Sequence, residues 1–341
     1  MTDIEITVLD PLEPDDVDGA METAELSIRE DVPDFPALSR AEFIVRMTRR
    51  SKSHRKHRLI AKVDGTVVGY ASLHIPLLEN RHLIEFELEV RPDHRRRGIG
   101  SALLAEIERY ARADDRTTLL VYIPDTIDGR PQLPHNGQHF AAKQGFEKKS
   151  QEIRRAADLT EVDDAALDEL LAKSWTKAEG YELIQWINDS PDDVVEALAY
   201  LDSRLVTDSP MGDLNFEAPK TDVARIRERE SDGRTAGILR IATALRHKES
   251  GTVAGWTDIV VDPGDEDNCW QGITIVDPDH RGHRLGTILK IENHRHVLRY
   301  RPRMRYVTTW NAEANDFMIN INEAVGYRAR ERWLALEKDL K

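Results

Sequence analysis

The stretch Val90-Arg91-Pro92-Asp93-His94-Arg95-Arg96-Arg97-Gly98-Ile99-Gly100-Ser101 organises the rest of the chain around it. Before it, Ile84, Phe86, Leu88 and Val90 alternate with Glu85, Glu87 and Glu89, the period-2 pattern of a half-buried strand. After it, Ile99, Leu103, Ile107 and Tyr110 recur at helical spacing. The stretch is therefore the turn of a strand-loop-helix unit. Gly98 and Gly100 carry no Cβ where backbone amides would meet a ligand, and a helix N-terminus favours negative charge. Three arginines, Arg95, Arg96 and Arg97, stand beside those amides. Such a loop suits a pyrophosphate. It lacks the three spaced glycines and later acidic residue of the dinucleotide fingerprint.

A second copy lies 186 positions on, at Val276-Asp277-Pro278-Asp279-His280-Arg281-Gly282-His283-Arg284-Leu285-Gly286-Thr287. Val90, Pro92, Asp93, His94, Arg95 and Gly100 recur there as the same residue types, and Leu103 recurs as Leu289. The later pair Gly145-Phe146 is echoed by Gly326-Tyr327. A gapless match between two strand-loop-helix units is an internal repeat, which takes precedence in a fold assignment.

Composition narrows the class. At 341 residues, 40% hydrophobic and 32% charged, the chain suits two soluble globular domains. It has no apolar run long enough for a membrane span, and its acidic start, Met1-Thr2-Asp3, is unlike a signal or transit peptide. The lone Cys269 excludes an internal disulfide. A cytoplasmic location is expected. The net charge of −14 argues against nucleic-acid binding, whereas local basic loops on an acidic body fit a small polyanion. Histidines 280, 283, 294 and 296 form no His-Glu-x-x-His helix, so no metal is expected. The six tryptophans read as packing residues.

The pattern predicts a strand at 3–9, helices at 14–30 and 38–50 (the second capped by Ser39), and a hairpin at 57–77 turning on Asp64-Gly65. A strand at 82–90, a helix to about 113, a strand at 117–123 and a short helix before Gly145 follow. Residues 157–175 read as a helical bridge. The order then repeats, with a strand at 181–187, helices at 191–205 and 219–230, and strands at 235–246 and 252–261.

The Arg95-x-x-Gly98-x-Gly100 loop after Val90-x-Pro92 resembles the coenzyme A loop of the GCN5-related N-acetyltransferases (GNATs). The tail Thr309-Trp310-Asn311-Ala312-Glu313-Ala314-Asn315, with Met318, Asn322 and Gly326-Tyr327, is similar to that of actinobacterial tandem acetyltransferases related to mycothiol synthase. The resemblance implies an α/β (α+β, mixed-sheet) protein of two tandem acyl-CoA N-acyltransferase domains, at 1–156 and 178–341, joined by a helical linker at 157–177. It also implies acetyl-CoA as cofactor and direct acetyl transfer to the primary amine of a small molecule, without a nucleic-acid or membrane partner.

Coenzyme contacts implied by the resemblance are Leu88, Glu89 and Val90 at the strand end, then Arg95, Arg96, Arg97, Gly98, Ile99, Gly100 and Ser101. The second repeat offers Ile275, Val276, Arg281, Gly282, His283, Arg284, Leu285, Gly286 and Asn315. Arg284 replaces the first glycine there, so the first repeat is the favoured coenzyme site. Glu87, then Glu85, are the base candidates on one strand face, and the equivalent positions in the second repeat are Gln271, Ile273 and Ile275. The family's thiolate-side Tyr is replaced by Ala141 and Asn322, of which Asn322 retains a hydrogen-bond donor. That replacement keeps a second class open, a non-catalytic acyl-CoA binder or sensor.

Overall fold

A computed structural model describes residues 3–340. The elements run β1 (Glu5–Val8), α1 (Pro14–Asp31), α2 (Arg40–Thr48), β2 (His54–Val63), β3 (Thr66–Pro76), β4 (Leu83–Val90), α3 (Ile99–Ala113), β5 (Thr118–Asp125), α4 (Asn136–Lys143) and β6 (Glu147–Asp158). They continue with α5 (Asp164–Trp175), β7 (Tyr181–Ile187), α6 (Val195–Asp208), α7 (Val223–Thr235), β8 (Leu239–His247), β9 (Val253–Val261) and β10 (Asn268–Val276). The chain ends with α8 (Leu285–Tyr300), β11 (Tyr306–Ala312), α9 (Asp316–Ala324) and β12 (Arg328–Asp339). The local signals act as expected. Ser39 accepts from the Glu42 amide at 3.0 Å and starts α2, and Asp64 and Gly65 both adopt positive φ in the β2–β3 turn.

Two compact units result: Met1–Glu152 with Gly212–Asn215 and Glu331–Lys341, and Ile153–Met211 with Phe216–Arg330. Within the first unit the strand order is β1-β2-β3-β4-β5-β12, so the last strand of the chain completes the first unit. β12 pairs antiparallel with β5 from Arg332↔Asp125 to Asp339↔Thr118. Within the second unit the strand order is β6-β11-β10-β9-β8-β7. The closing strands are therefore exchanged, and the units differ from the expected 1–156 and 178–341. β6 and β12 are both 12-residue strands following a helix and a Gly-aromatic pair, so nothing local tells either which sheet to close.

The expected linker is also part of a unit. α5, capped by Asp163 through the Ala166 amide at 3.1 Å, buries Leu167 and Leu171 in the second core with Ile288, Leu289 and Val297 of α8. In the first unit, α3 covers one sheet face through Ile99, Leu103, Leu104 and Ile107, all at most 2% exposed. The other face lies under α1 and α2, against Ile60 and Tyr70. On β4, Ile84 and Phe86 pack in the α3-side core, which puts Glu85, Glu87 and Glu89 on the α1/α2 face.

Candidate active site

β4 and β5 are parallel neighbours, but their ladder covers only Leu83↔Thr118, Ile84↔Leu119 and Glu85↔Leu120. Beyond Glu85, β4 stays paired with β3 as far as Val90↔Gly69, while β5 follows β12. The two strands splay, leaving the inner backbone edge of Phe86 to Val90 open. α3 begins at the mouth of that opening.

A cleft of about 780 Å³ fills the mouth. Leu88, Glu89 and Val90 line it with Gly98, Ile99, Gly100 and Ser101, and α4 adds Gly137, His139, Phe140 and Lys143. Gly98 has φ +90°, and a Cβ there would meet nothing within 4 Å. Its backbone is left-handed and its missing side chain leaves the approach to the helix amides open. Gly100 is less constrained: a Cβ would touch Phe140 at 3.6 Å, an ordinary contact.

The three arginines divide their roles. Arg95 donates to both oxygens of Asp31 at 2.8 Å, to Ser27 at 2.8 Å and to the Val90 carbonyl at 3.1 Å. It ties the strand end to the last turn of α1, so its charge is already compensated. Arg97 turns back to the Asp93 carbonyl at 2.9 Å. Arg96, exposed at φ +63°, has no ion-pair partner among the described residues and lines the cleft. It and Lys143 are the cations left for a polyanion. Lys143 was not among the expected contacts, because α4 reaches the loop only through the fold.

Glu89 accepts from Ser27 beneath α1, and burial pushes its carboxyl up to about 8. Glu85 is pushed up to about 7, first by burial and then by repulsion from Glu87 and Glu152. Glu85 and Glu87 line a second cavity of about 170 Å³ with Lys56, Arg58, Tyr70, Ser72 and His74. Sequence reasoning missed Tyr122 of β5. Parallel pairing places it one pleat beyond the Glu85↔Leu120 pair, on the face of Glu85. Burial, then the charges of Glu85 and Glu152, raise its phenol well above the ordinary range.

The second unit repeats the frame. Its β10–β11 ladder covers only Asn268↔Tyr306 to Trp270↔Thr308, so these strands splay too. Arg281 repeats the tie of Arg95, donating to Asp208 of α6 at 2.8 Å and to the Val276 carbonyl at 3.4 Å. Both loops hold two left-handed positions, with their occupants exchanged: Arg96 and Gly98 in one, Gly282 and Arg284 in the other. Arg284 thus keeps the backbone turn (φ +57°) while placing a side chain where Gly98 leaves space. His283 bonds the Lys177 carbonyl at 3.0 Å, Leu285 is buried, and a Cβ on Gly286 would press on Ile321 at 2.9 Å. Ile275 packs under α6 with Trp256, and Val276 faces α8.

One expectation for this unit needs correction. A register shift between Gln271 and Thr274 interrupts the β9–β10 ladder, and Asp258 holds it by accepting from the Ile273 amide at 2.9 Å. The extra residue turns Gln271 toward α8, where Lys290 donates to it at 3.2 Å. Gln271 is therefore not the counterpart of Glu85 in space. Asn322 is fully buried and donates to Asn311 at 3.2 Å, fastening α9 to the stretch of β11 beyond its ladder with β10. Asn315 caps α9 through the Met318 amide at 3.1 Å.

The acetyltransferase (GNAT) family matches residues 23–146, the stretch that holds the cleft. A tandem GNAT protein from the clavulanic acid biosynthesis pathway superposes with a TM-score of 0.84 at 26% identity, covering 99% of each chain. A GCN5-related N-acetyltransferase from Sphaerobacter thermophilus gives 0.68 at 15% identity over 99% of this chain and 96% of that one. A putative acetyltransferase from Pyrococcus horikoshii gives 0.54 at 14% identity over 99% and 90%. A search of curated proteins returns no match. The fold is that of the GNAT acetyltransferases. Residues 23–146 match the GNAT family model, and the chain as a whole is similar to a tandem-domain GNAT protein. Among the described residues, no helix is long and apolar enough to cross a membrane.

Proposed function

We propose that the first unit binds acetyl-CoA and transfers the acetyl group directly to the primary amine of a small molecule. The observation that carries this reading is the splay of β4 from β5 directly above the free amides of Ile99, Gly100 and Ser101. Its cleft fits the coenzyme: unpaired backbone donors, Arg96 and Lys143 suit phosphates, and the open edge of β4 suits an extended amide chain. The bound coenzyme supplies an acetyl thioester.

Transfer forms a C–N bond and breaks a C–S bond, so an acceptor that arrives as an ammonium loses two protons, one to a base and on to water and the other, in net terms, to the departing sulfur. Burial singles out Glu85 as the group to take the first, because a carboxyl near 7 accepts a proton from an ammonium and releases it to water at neutral pH. Glu87 stands beside it in the same cavity, facing the incoming ammonium. Tyr122 is the hydroxyl on the splayed strands that keeps a proton for sulfur. Ala141, 2% exposed on α4, has no side chain for that task. This gap favours a second reading, an acyl-CoA binder without turnover.

Calorimetry with acetyl-CoA and a thiol-release assay with a panel of amines separate the two. One saturable site lost in Gly98→Glu, with release that depends on amine, is the expected result. Binding without release under any amine supports the binder. Absence of binding removes both.

A further inference from the structure

Behind Glu85 and Glu87, the strand register builds a cavity with two poles. Lys56 pairs across the sheet with His74, and His74 with Glu85; Arg58 pairs with Ser72, and Ser72 with Glu87. Both rows lie on the α1/α2 face and line the same cavity of about 170 Å³. Each row sets a cation and a carboxylate two strands apart, about 9–10 Å between backbones. Consistent with that gap, no salt bridge joins them among the described residues.

Among the described residues, no carboxylate forms an ion pair with the cationic pole. Arg58 donates to main-chain carbonyls, at Met47 (3.2 Å) and Arg46, and stands beside the Tyr70 hydroxyl. Among the described residues Lys56 has no hydrogen-bond or ion-pair partner, and burial beside Arg58 and Arg46 pulls its ammonium down to about 8. A half-buried cation without a partner raises the free energy of the empty pocket, and an anionic ligand group removes that cost. The opposite pole, Glu85 and Glu87, suits an ammonium. At about 30 Å³ per water, the cavity has room for roughly five or six waters, or one small organic molecule.

We infer that the acceptor is a small amino acid, an amine that also carries a carboxylate, with its acid group at Lys56 and Arg58 and its amine at Glu85 and Glu87. This assignment rests on the acetyltransferase reading for the amine but not for the acid group. It makes Lys56 and Arg58 specificity residues.

Glycine, β-alanine and γ-aminobutyrate are compared with the amines of equal chain length lacking the acid, by CoA release and by calorimetry on the CoA-loaded full chain. Amino acids should exceed their neutral counterparts by about 10²-fold or more in kcat/KM, and Lys56→Gln should erase most of that preference through KM. Equal rates for γ-aminobutyrate and n-butylamine would overturn the assignment and leave the acetyltransferase standing. If no amine releases CoA, calorimetry still decides. Amino-acid binding weakened about tenfold or more by Lys56→Gln and by Arg58→Gln supports the acid-group site, and undetectable or unaltered binding rejects it. An unchanged melting temperature and coenzyme affinity in both variants shows that the pocket, and not the fold, was altered.

Discussion

The two units share a frame but fill it with opposite chemistry. Both splay a parallel strand pair, both turn through two left-handed positions, and both tie the turn to the end of an earlier helix with one arginine, Arg95 to Asp31 of α1 and Arg281 to Asp208 of α6. In the first unit the strand face beside the splay carries carboxylates, and glycine occupies the position at the helix start. In the second, Ile273 and Ile275 face α6, Trp270 stacks on Trp310 at 5.6 Å, and arginine occupies that position. The frame is what the fold requires; the filling is what the chemistry requires. Only the first unit combines an open helix start with acids that hold protons near neutral pH.

The sharpest way to break this contrast is to remove the acids. Glu85→Gln should lower kcat by about 10²–10⁴-fold while leaving acetyl-CoA affinity nearly intact. The wild-type rate should rise with pH through about 7, as Glu85 loses its proton, and this limb should vanish in the variant. A wild-type rate in Glu85→Gln and Glu87→Gln alike would move the chemistry away from β4. Tyr122→Phe tests the sulfur side, with an expected loss of about 10² in kcat that better leaving thiols partly restore. An equal loss with every thioester would reduce Tyr122 to packing.

Exchanging the loop residues sharpens the comparison from the other side. Gly98→Arg puts a side chain into the cleft at a φ that costs an L-residue about 1–2 kcal/mol. Coenzyme affinity should fall about 10–100-fold, whereas Arg284→Gly should create no second site in a titration. Two equal sites in the wild type would refute the asymmetry.

What the sequence reveals divides along the range of the interactions. The turn, the repeat, the Ser39 cap and the Asp64-Gly65 hairpin are written in neighbouring residues, because φ > 0 and helix starts are local demands. Arg95 looks like a phosphate ligand from its neighbours, and only the fold brings Asp31 to it. The exchange of β6 and β12 is invisible because either strand suits either sheet. The shift at Gln271 is equally hidden: it depends on Asp258, a strand away, and a one-residue slip sends each following side chain to the other face. The cationic pole of Lys56 and Arg58 emerges only when three strands are set in register.

The smallest effect expected concerns stability, and it separates the units by sign. Lys290 of α8 is 1% exposed, with its ammonium on Gln271 and 4.8 Å above the ring of Tyr327, beside His294. Burial pulls Lys290 down to about 7, whereas an unfolded lysine titrates near ~10.4. Between those values the unfolded chain holds more protons, so the second unit should gain stability as pH rises from about 7 toward 10. Burial and the charge of Lys290 hold His294 down at about 3, which adds a gain of the same sign from about 3 to 6.5. Glu85 and Glu89 act oppositely: raised to about 7 and 8, they keep protons that the unfolded chain has lost, so the first unit should lose stability as pH rises from about 4 to 8. Hydrogen exchange, corrected for intrinsic rates, should therefore show protection rising in α8 and β10 and falling in β4 between pH 6 and 9. Lys290→Met should flatten the response of the second unit. It removes a buried charge and leaves Gln271 accepting from Tyr327 at 3.3 Å, so the variant should melt about 2–4 °C higher at pH 6 and little differently at pH 9. The same pH slope in Lys290→Met as in the wild type would mean that Lys290 is not the group responsible.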